Sequence, residues 1–492
     1  MRVLWCFEVC ACSLGKAEGK GDVLMDIMDS SDYQLFMKLV EVWGAKRPRN
    51  VLRTVYHDGK QAFEDFRISI PPQLTSFAPT LGWIEKGVDA LTSRVVFEGF
   101  VTPDDEDYGL DDLVWDNSLD DELPLAFTSS AMHSCAFLTV SHGGPGEPDV
   151  LIIPRAADEV GALWNMRRRR LDGLLAVTSW DKGAPDGLAM YTRDHVYNMK
   201  LSRSGKWLAD VVPNPVGEVL AARLPYKPNL KRPFGRSRIT RAAMSINDSA
   251  LRTILRSEVS AEFYSSPQRW VLGADVEAFE GQSAKWKAIM GRVLALERDP
   301  ETDELPSVGQ FSATSPQPHT EQLRSQAMLF AAEMNMSPAS LGVIHDNPAS
   351  ADAMYASKED LINDARGAGR AWGRGARWAM QLAYMLGNNT NKLPDGLMRL
   401  SAQFSDPATV SPAGQADAFV KRAQVIPGFA ESEVGLETAG LTREQIIRFK
   451  AETKRAGAQS LLAALANRPE PSAPSEPAEP EVTDERVAED AV

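Results

Sequence analysis

The chain has very little cysteine, with four residues in 492. Cys6, Cys10 and Cys12 lie close together near the N-terminus and Cys135 stands alone, so the sequence has no paired framework and no CxxC motif. A structural zinc site needs four ligands at other spacings, and disulfide-stabilised domains are much richer in cysteine. We therefore expect no bound metal and a protein that works in a reducing compartment.

Long apolar runs are missing as well. The longest uncharged stretch, residues 123–146, contains Pro124, four serines and His133. A membrane helix needs about 20 mainly apolar residues in a row. The sequence therefore predicts no membrane partner.

The N-terminus imitates a short signal peptide, but Glu8 interrupts its apolar part. Residues 18–22 (Glu-Gly-Lys-Gly-Asp) require purine-rich codons and closely precede Met25, as a ribosome-binding site translated by mistake would. We expect the true start to be Met25 or Met28. Residues 1–24 are then an extension of the protein proper.

The sequence also lacks catalytic motifs. The six histidines fall in unrelated contexts, and neither HExxH nor Gly-x-Ser-x-Gly occurs. Residues 15–21 resemble a P-loop, but the spacing is one residue short and no Ser or Thr follows Lys20 to hold Mg²⁺. Four glycines at 367–375 fall inside a helical pattern, where close helix packing explains them better than a nucleotide loop. We predict no enzymatic activity and no cofactor.

The charge that is present is mainly negative, with a net of −14. Residues 469–492 carry five Pro, eight Asp or Glu and one Arg, which is half of that net charge, and this composition predicts a disordered tail. A protein that wraps DNA by neutralising phosphates should instead be basic. The composition excludes that class.

Two stretches of this acidic chain are basic. Residues 167–170 are four arginines followed at once by a Leu-Asp-Gly turn, which favours a solvated turn over a nucleic-acid site. Residues 223–256 hold nine Lys or Arg and one acid, so this zone indicates a contact surface for an acidic neighbouring subunit or for DNA. We favour the subunit contact, with candidates Arg232, Arg236, Arg238 and Arg241.

The hydrophobic pattern predicts an α+β fold. Helical spacing begins behind a Ser31/Asp32 cap and recurs over 81–95, which ends in strand-like residues 95–97, and over 108–132. Six strands of alternating pattern lie between 136 and 212. Beyond three prolines at 225–233 we predict long helices over 239–264, over about 320–336 and up to Leu386, with short β-like pieces between the first two. Residues 411–465 read as an Ala-rich helical region broken near Gly428 and Gly440, whose last helix has a capping box at Thr442.

Four strings follow one another in a specific order. They are residues 233–239 (Pro-Phe-Gly-Arg-Ser-Arg-Ile), 266–273 (Ser-Pro-Gln-Arg-Trp-Val-Leu-Gly), 337–342 (Ser-Pro-Ala-Ser-Leu-Gly) and 347–353 (Asn-Pro-Ala-Ser-Ala-Asp-Ala). With Tyr-His-Asp-Gly at 56–59, this order resembles the portal protein of long-tailed double-stranded-DNA bacteriophages, the head–tail connector ring. The resemblance covers roughly residues 32–465.

The resemblance implies a subunit of seven parts and a tail. In chain order these are an α/β wing (25–238), a first stem helix (239–264), a small β-containing clip (265–317), a second stem helix (318–337), a tunnel loop (338–353), a long helix and the second part of the wing (354–410), a helical crown (411–466) and the acidic tail (467–492). The loop residues implied to face DNA are Ile344, His345, Asp346 and Asn347. The clip residues implied to dock the motor and adaptor are Glu301, Asp303 and Glu304.

The family's rings have about twelve subunits and stand at one capsid vertex of the virion after assembly in the host cytoplasm. The implied partners are the terminase large subunit, the head–tail adaptor and the major capsid protein, with a scaffold protein as a further candidate. DNA would pass through without sequence-specific recognition. The loop departs from a charge-gripping design, because Asp346 is acidic and no Lys lies nearby.

Two other classes of protein remain as alternatives. A packaging ATPase would need a Walker A loop and acidic metal ligands, and the sequence shows neither. A minor capsid-associated head protein without channel function would share the size and the acidic tail. It would lack the order of helix, β module, helix, loop and long helix.

Overall fold

The computed structural model describes residues 28–60, 79–104, 106–265, 269–272, 307–310, 316–343, 357–408, 412–441 and 443–466. Helices and strands both contribute, so the predicted mixture is confirmed. The chain divides into two compact units, Met1–Ala408 and Thr409–Val492. The predicted extension at 1–24 and the acidic tail lie outside the described residues.

The long helices predicted from the sequence are confirmed with small shifts at their ends. The helices of the first unit are α1 (Ser30–His57), α2 (Trp83–Thr92), α3 (Leu110–Asp116), α4 (Leu119–His133), α5 (Arg241–Ser265), α6 (Gln317–Glu333), α7 (Glu359–Gly387) and α8 (Asp395–Met398), with a 3-10 turn at Pro338–Leu341.

All six strands predicted between residues 136 and 212 are present, and three further strands were missed. The strands are β1 (Phe97–Val101), β2 (Cys135–His142), β3 (Val150–Ala156), β4 (Val160–Asn165), β5 (Arg170–Asp181), β6 (Ala184–Tyr191), β7 (His195–Leu201), β8 (Trp207–Pro213), β9 (Ala221–Pro225), β10 (Arg269–Leu272), β11 (Ser307–Gln310) and β12 (Ser401–Phe404). The missed strands are β4, β9 and β12.

A three-stranded antiparallel sheet of order β3-β2-β9 lies at the centre of the first unit. Helices α4 and α7 both pack on it. The Phe127 ring of α4 stacks on the Trp372 ring of α7 with centroids 4.7 Å apart. Trp372 Nε1 donates to Ser130 Oγ at 2.9 Å, and Ser130 Oγ donates to the Leu224 carbonyl of β9 at 2.6 Å. The polar atoms of this buried cluster therefore satisfy one another.

A five-stranded antiparallel sheet, β4 to β8 in sequence order, packs against α1. A side chain on Gly161 would place its Cβ 2.3 Å from the Leu39 carbonyl oxygen, so glycine permits the close approach of helix and strand. Trp43 of α1 donates its indole N–H to the Asp158 carbonyl at 2.8 Å. Helix and sheet therefore bury apolar surface and satisfy polar groups at the same interface.

The first helix begins differently from the expectation. A Ser31/Asp32 cap was predicted, but α1 starts at Ser30 after Asp29, and no side chain caps it. Asp32 instead accepts a hydrogen bond from the Tyr197 hydroxyl at 2.7 Å. The Asp32 carboxylate, which the local sequence pattern predicted as a helix cap, is therefore bonded to β7 instead.

The prediction of a single helix over 108–132 is wrong, because this segment forms two helices, α3 and α4. The break falls at Asn117 and at Ser118, whose φ of 47° is left-handed. Asn117 lies outside both helices and bonds the first strand residues of β3, donating to the Val150 carbonyl at 3.0 Å and accepting from the Ile152 N–H at 2.7 Å. A tertiary contact with β3 thus overrides the continuous helical pattern.

The second unit is helical where described, as predicted. Its helices are α9 (Pro412–Val425), α10 (Glu433–Thr438) and α11 (Arg443–Ala466), with a 3-10 turn at Phe429–Glu431. The predicted breaks occur at Gly428 and Gly440, both with positive φ. Ser432 caps α10 by accepting from the Gly435 N–H at 3.0 Å. The predicted capping box at Thr442 lies outside the described residues.

The glycines of α7 serve close packing, as predicted, at three of the four positions. Gly369 and Gly373 face the Phe404 ring, and a Cβ on Gly375 would lie 2.2 Å from the Arg223 carbonyl oxygen of β9. Gly367 is the exception, since nothing lies within 4 Å of its position.

This contrast gives a matched pair of substitutions. Gly375→Ala should lower the free energy of unfolding by about 2 kcal/mol, because the methyl group meets backbone that cannot move aside. Gly367→Ala should raise it by about 0.5–1 kcal/mol, because alanine favours the helix and meets no atom. Urea unfolding of the monomeric subunit, followed by tryptophan fluorescence, measures both values. Equal effects of the two substitutions would contradict the packing argument.

Candidate functional site

The segment before α5 places a buried arginine at the root of that helix. Gly235 has a φ of 72°, and a Cβ there would lie 2.0 Å from the Tyr226 carbonyl oxygen, so the turn requires glycine. Ser237 Oγ donates to the Met132 carbonyl. These local constraints direct the side chain of Arg238 inward, where the residue is only 5% exposed.

The guanidinium of Arg238 joins several elements, and we call this cluster the Arg238 junction. Its Nε donates to the Gly87 carbonyl of α2 at 2.6 Å, and one terminal nitrogen donates to the Tyr226 hydroxyl at 3.1 Å. The other terminal nitrogen donates to the Met334 carbonyl at the end of α6. A buried charge is tolerated only when it is paired and hydrogen-bonded. The junction meets that requirement.

Asp364 of α7 supplies the negative charge of the Arg238 junction. Its Oδ2 lies 3.5 Å from Arg238 Nη1 and accepts from Lys227 Nζ at 2.7 Å and from Asn335 Nδ2 at 3.0 Å. Asn335 has a φ of 49°, the left-handed conformation that ends many helices. The root of α5, the end of α6 and the first turns of α7 are therefore fixed to one carboxylate.

Beyond the junction, α5 and α6 run antiparallel and side by side. Thr240 Oγ1 donates to Glu333 Oε1 at 2.6 Å, and Gln326 Nε2 donates to Thr253 Oγ1 at 3.1 Å. The chain between them includes strands β10 and β11, which pair antiparallel from Arg269 opposite Gln310 to Leu272 opposite Ser307. The predicted docking residues Glu301, Asp303 and Glu304 lie outside the described residues.

Helix α1 is tied to α5 as well. The Tyr56 hydroxyl donates to Asp248 Oδ2 at 2.8 Å. Burial raises the pKa of Asp248, and the Tyr56 hydrogen bond partly offsets that rise. The Tyr56 position that carried part of the family resemblance thus holds the start of α5 against the end of α1.

The segment after α6 has a described beginning and a described end. The 3-10 turn at Pro338–Leu341 is followed by Gly342 with a φ of 82° and by the buried Val343. Helix α7 then begins at Glu359. The predicted DNA-facing residues Ile344, His345, Asp346 and Asn347 lie between these points, outside the described residues.

The four predicted contact arginines are not equivalent. Arg232, Arg236 and Arg241 are exposed. The prediction that Arg238 contacts a neighbouring subunit is corrected. Its guanidinium is buried and hydrogen-bonded within its own subunit, so it cannot reach a neighbour. The sequence showed the local excess of positive charge but not which side chain the fold would bury.

Sequence reasoning missed that helix α1 adds cations to the same place. Lys46, Arg49 and Arg53 line a cavity of about 650 Å³ together with Arg232, Arg236 and Arg241. Arg53 donates to the His133 carbonyl at the end of α4 at 3.1 Å. Burial and then the nearby Arg49 charge lower the pKa of Arg53 to about 10. The signal was available, since 46, 49 and 53 share one face of a helix.

The arginine run at 167–170 is used inside the fold rather than only solvated. Arg168 forms an ion pair with Glu218 at 2.7 Å, and the Arg170 guanidinium lies 3.7 Å from the centroid of the Trp378 ring. Arg169 has the left-handed φ of a turn. The predicted turn is present, but two of its arginines are engaged by distant residues.

In the described ranges no group of three or more His, Cys, Asp or Glu side chains could hold a metal ion. None of the helices that the structure describes is both long and apolar enough to span a bilayer.

Replacing Arg238 tests the junction. Arg238→Gln should lower the free energy of unfolding by about 3–5 kcal/mol, because buried carbonyls and the Asp364 carboxylate lose their donor. Arg236→Gln, two residues away and exposed, should change it by less than about 0.5 kcal/mol. Urea unfolding of the monomeric subunit measures both. A loss for Arg238→Gln no larger than that for Arg236→Gln would contradict the role of the junction.

The chain is similar in sequence to known proteins over most of its length. A family model described as "Phage portal protein, SPP1 Gp6-like" matches residues 80–458. The portal protein of Mycobacterium phage D29 is 28% identical over 385 residues, which cover 75% of this chain and 77% of that protein. The portal protein of Mycobacterium phage L5 is 26% identical over 422 residues, which cover 82% of this chain and 83% of that protein.

Two solved structures are similar to the chain at lower scores. A chain from the neck of an empty gene transfer agent (GTA) particle computed with C6 symmetry is 14% identical, with a TM-score of 0.43. The match covers 75% of this chain and 93% of that one. A chain from the neck of a native GTA particle computed with C12 symmetry is 13% identical, with a TM-score of 0.41, covering 80% and 98%. At these TM-scores the likeness carries no further conclusion.

The region matched by the family model includes every residue of the Arg238 junction, both helices α5 and α6, and the whole of α7. The resemblance inferred from the ordered strings is confirmed. Because the match covers more than half of the 492 residues, this chain belongs to the phage portal protein family of the SPP1 Gp6-like type.

Proposed function

We propose that this portal protein forms a ring-shaped channel of about twelve subunits at one capsid vertex, through which DNA is packaged and ejected. The observation that carries the proposal is the order α5, β10–β11, α6, 3-10 turn and α7, with α5 and α6 antiparallel. The Arg238 junction supports it, because a channel wall must hold the roots of its helices while DNA moves past.

The parts of the subunit are assigned from this order. The wing takes residues 25–238 and 354–410, the stem takes 239–264 and 318–337, the clip takes 265–317, the tunnel loop takes 338–353 and the crown takes 411–466. Glu301, Asp303 and Glu304 in the clip would dock the terminase large subunit and then the head–tail adaptor. The major capsid protein and a scaffold protein would be further partners during assembly in the host cytoplasm.

The charge of the chain suits a conduit. DNA is a polyanion, and a subunit whose whole chain has a net charge of −14 repels it over distances near the Debye length of about 8 Å. The duplex can then slide without sequence-specific recognition. The protein would perform no reaction itself, and the energy for translocation would come from the terminase.

A mass measurement tests the ring. The purified full-length chain should assemble into closed particles of about twelve subunits, measured by native mass spectrometry at near-physiological salt. A portal needs this closed stoichiometry, because a gap in the ring would open the channel wall. A minor capsid-associated head protein would instead remain a monomer or a small oligomer, and that result would overturn the proposal.

Asp346→Lys tests the tunnel loop. A ring of about twelve new cations facing the duplex should bind phosphates that ought to slide past, so packaging should slow or stall, most strongly at low salt. Ring assembly should be unchanged. The matched control is Asp210→Lys on the exposed face of β8, which should package normally. Wild-type packaging rates for Asp346→Lys would remove this loop from the DNA path.

A further inference from the structure

The cavity beside α1, called here the basic cavity, holds an uncompensated excess of positive charge. Its cationic lining residues are Lys46, Arg49, Arg53, Lys231, Arg232, Arg236 and Arg241, and no Asp or Glu lines it. Within the parts of the chain that the structure describes, none of the seven forms an ion pair with a carboxylate. Lys46 lies over the Phe234 ring at 5.0 Å, and Arg53 donates to a backbone carbonyl, so neither contact neutralises a charge. The basic cavity can therefore accept an external anion.

The crowding of these cations has an electrostatic cost. The Arg49 charge lowers the pKa of both Lys46 and Arg53, in each case after the larger effect of burial. Like charges that line one cavity repel one another, and carboxylates brought among them would offset that repulsion. The free subunit therefore favours a partner that supplies carboxylates.

The same chain carries a surface of opposite charge. Residues 104–122, called here the acidic segment, contain ten Asp or Glu and no Lys or Arg. Asp112, Asp116, Asp120 and Asp121 are exposed. Trp115 lies among them with 82% of its surface exposed, which is unusual for an indole unless it meets a partner.

The acidic segment and the basic cavity lie at opposite ends of one helix. The first turn of α4 carries Asp120, Asp121 and Glu122, while its last carbonyl, on His133, accepts from Arg53 of the basic cavity. A helix of 15 residues is about 22 Å long. The two surfaces of one subunit therefore cannot meet each other, but they can meet across copies arranged head to tail. Such heterologous contacts are the kind that close into rings.

We propose that the acidic segment of one subunit binds the basic cavity of the next subunit, an inference that rests on the ring proposed above. The carboxylates of the acidic segment pair with the cavity arginines. The indole of Trp115 packs on the partly exposed apolar residues of the lining, Pro233 and Phe234. Each subunit contributes its acidic segment to one neighbour and its basic cavity to the other.

A second copy fits the basic cavity better than DNA does. A volume of about 650 Å³ accommodates a few side chains, whereas the major groove of a duplex is alone about 12 Å wide. A duplex could therefore touch only the rim of the basic cavity. The acidic tail at 469–492 has the charge to enter it, so the experiment includes a chain without that tail.

Charge exchange tests the contact. Three variants are compared with the wild-type chain: Asp112→Lys with Asp116→Lys, Arg232→Glu with Arg236→Glu, and all four substitutions together. Each pair should lower the fraction of subunits in rings at least about tenfold, because like charges then face each other across every interface. The combined variant should recover to within about threefold of the wild type, because the pairing is restored with its polarity reversed. Mass photometry at fixed protein concentration measures the ring fraction.

Two control pairs change charge equally on the five-stranded sheet, where we place no contact. Asp181→Lys with Asp210→Lys, and Arg203→Glu with Lys206→Glu, should leave the ring fraction unchanged. Rings that persist in both test pairs, controls that are equally damaging, or a combined variant no better than its parts would each overturn the inference. Loss of rings on deleting 469–492 would assign the basic cavity to the tail instead. A wild-type chain that forms no ring at all overturns the proposed function, not this contact alone.

Discussion

The buried guanidinium of Arg238 is the constraint on which the rest of the first unit depends. A charge inside a protein must be met by fixed acceptors, and here they come from α2, from the end of α6, from Tyr226 and from Asp364 of α7. The elements that bracket the segments we propose as clip and tunnel loop therefore share one anchor. Under that proposal, segments that contact a motor or a moving duplex have their ends held in place.

Charge is distributed over this subunit in a way that one chain alone does not use. The acidic segment and the basic cavity lie at opposite ends of α4, and no Asp or Glu lines the basic cavity. A monomer gains nothing from this separation, since crowded like charges destabilise it. A closed set of identical subunits gains a contact at every interface. The proposed contact would thus explain both the separation of charge within the subunit and the assembly of a ring.

Much of the fold could be predicted because its signal is local. The alternation at β7 gave its bounds, and the three-to-four spacing gave α5, α6 and α7 to within a few residues. Strand β12 could not be found, because its pairing with β1 joins residues about 300 apart in the chain. The break between α3 and α4 was missed for the same reason, since Asn117 bonds the backbone of β3. In the candidate site, composition revealed the basic zone, but burial separated Arg238 from Arg232, Arg236 and Arg241.

The central claim is that α5 and α6, rooted at the Arg238 junction, form the wall of a channel whose tunnel loop faces DNA. A cryo-electron microscopy reconstruction of the assembled full-length chain tests it most directly. We expect a closed ring in which α5 and α6 line the axis and residues 344–347 are the part of the subunit nearest to it. A ring with these residues on its outer surface, or with the junction at its periphery and another element lining the axis, would contradict the claim.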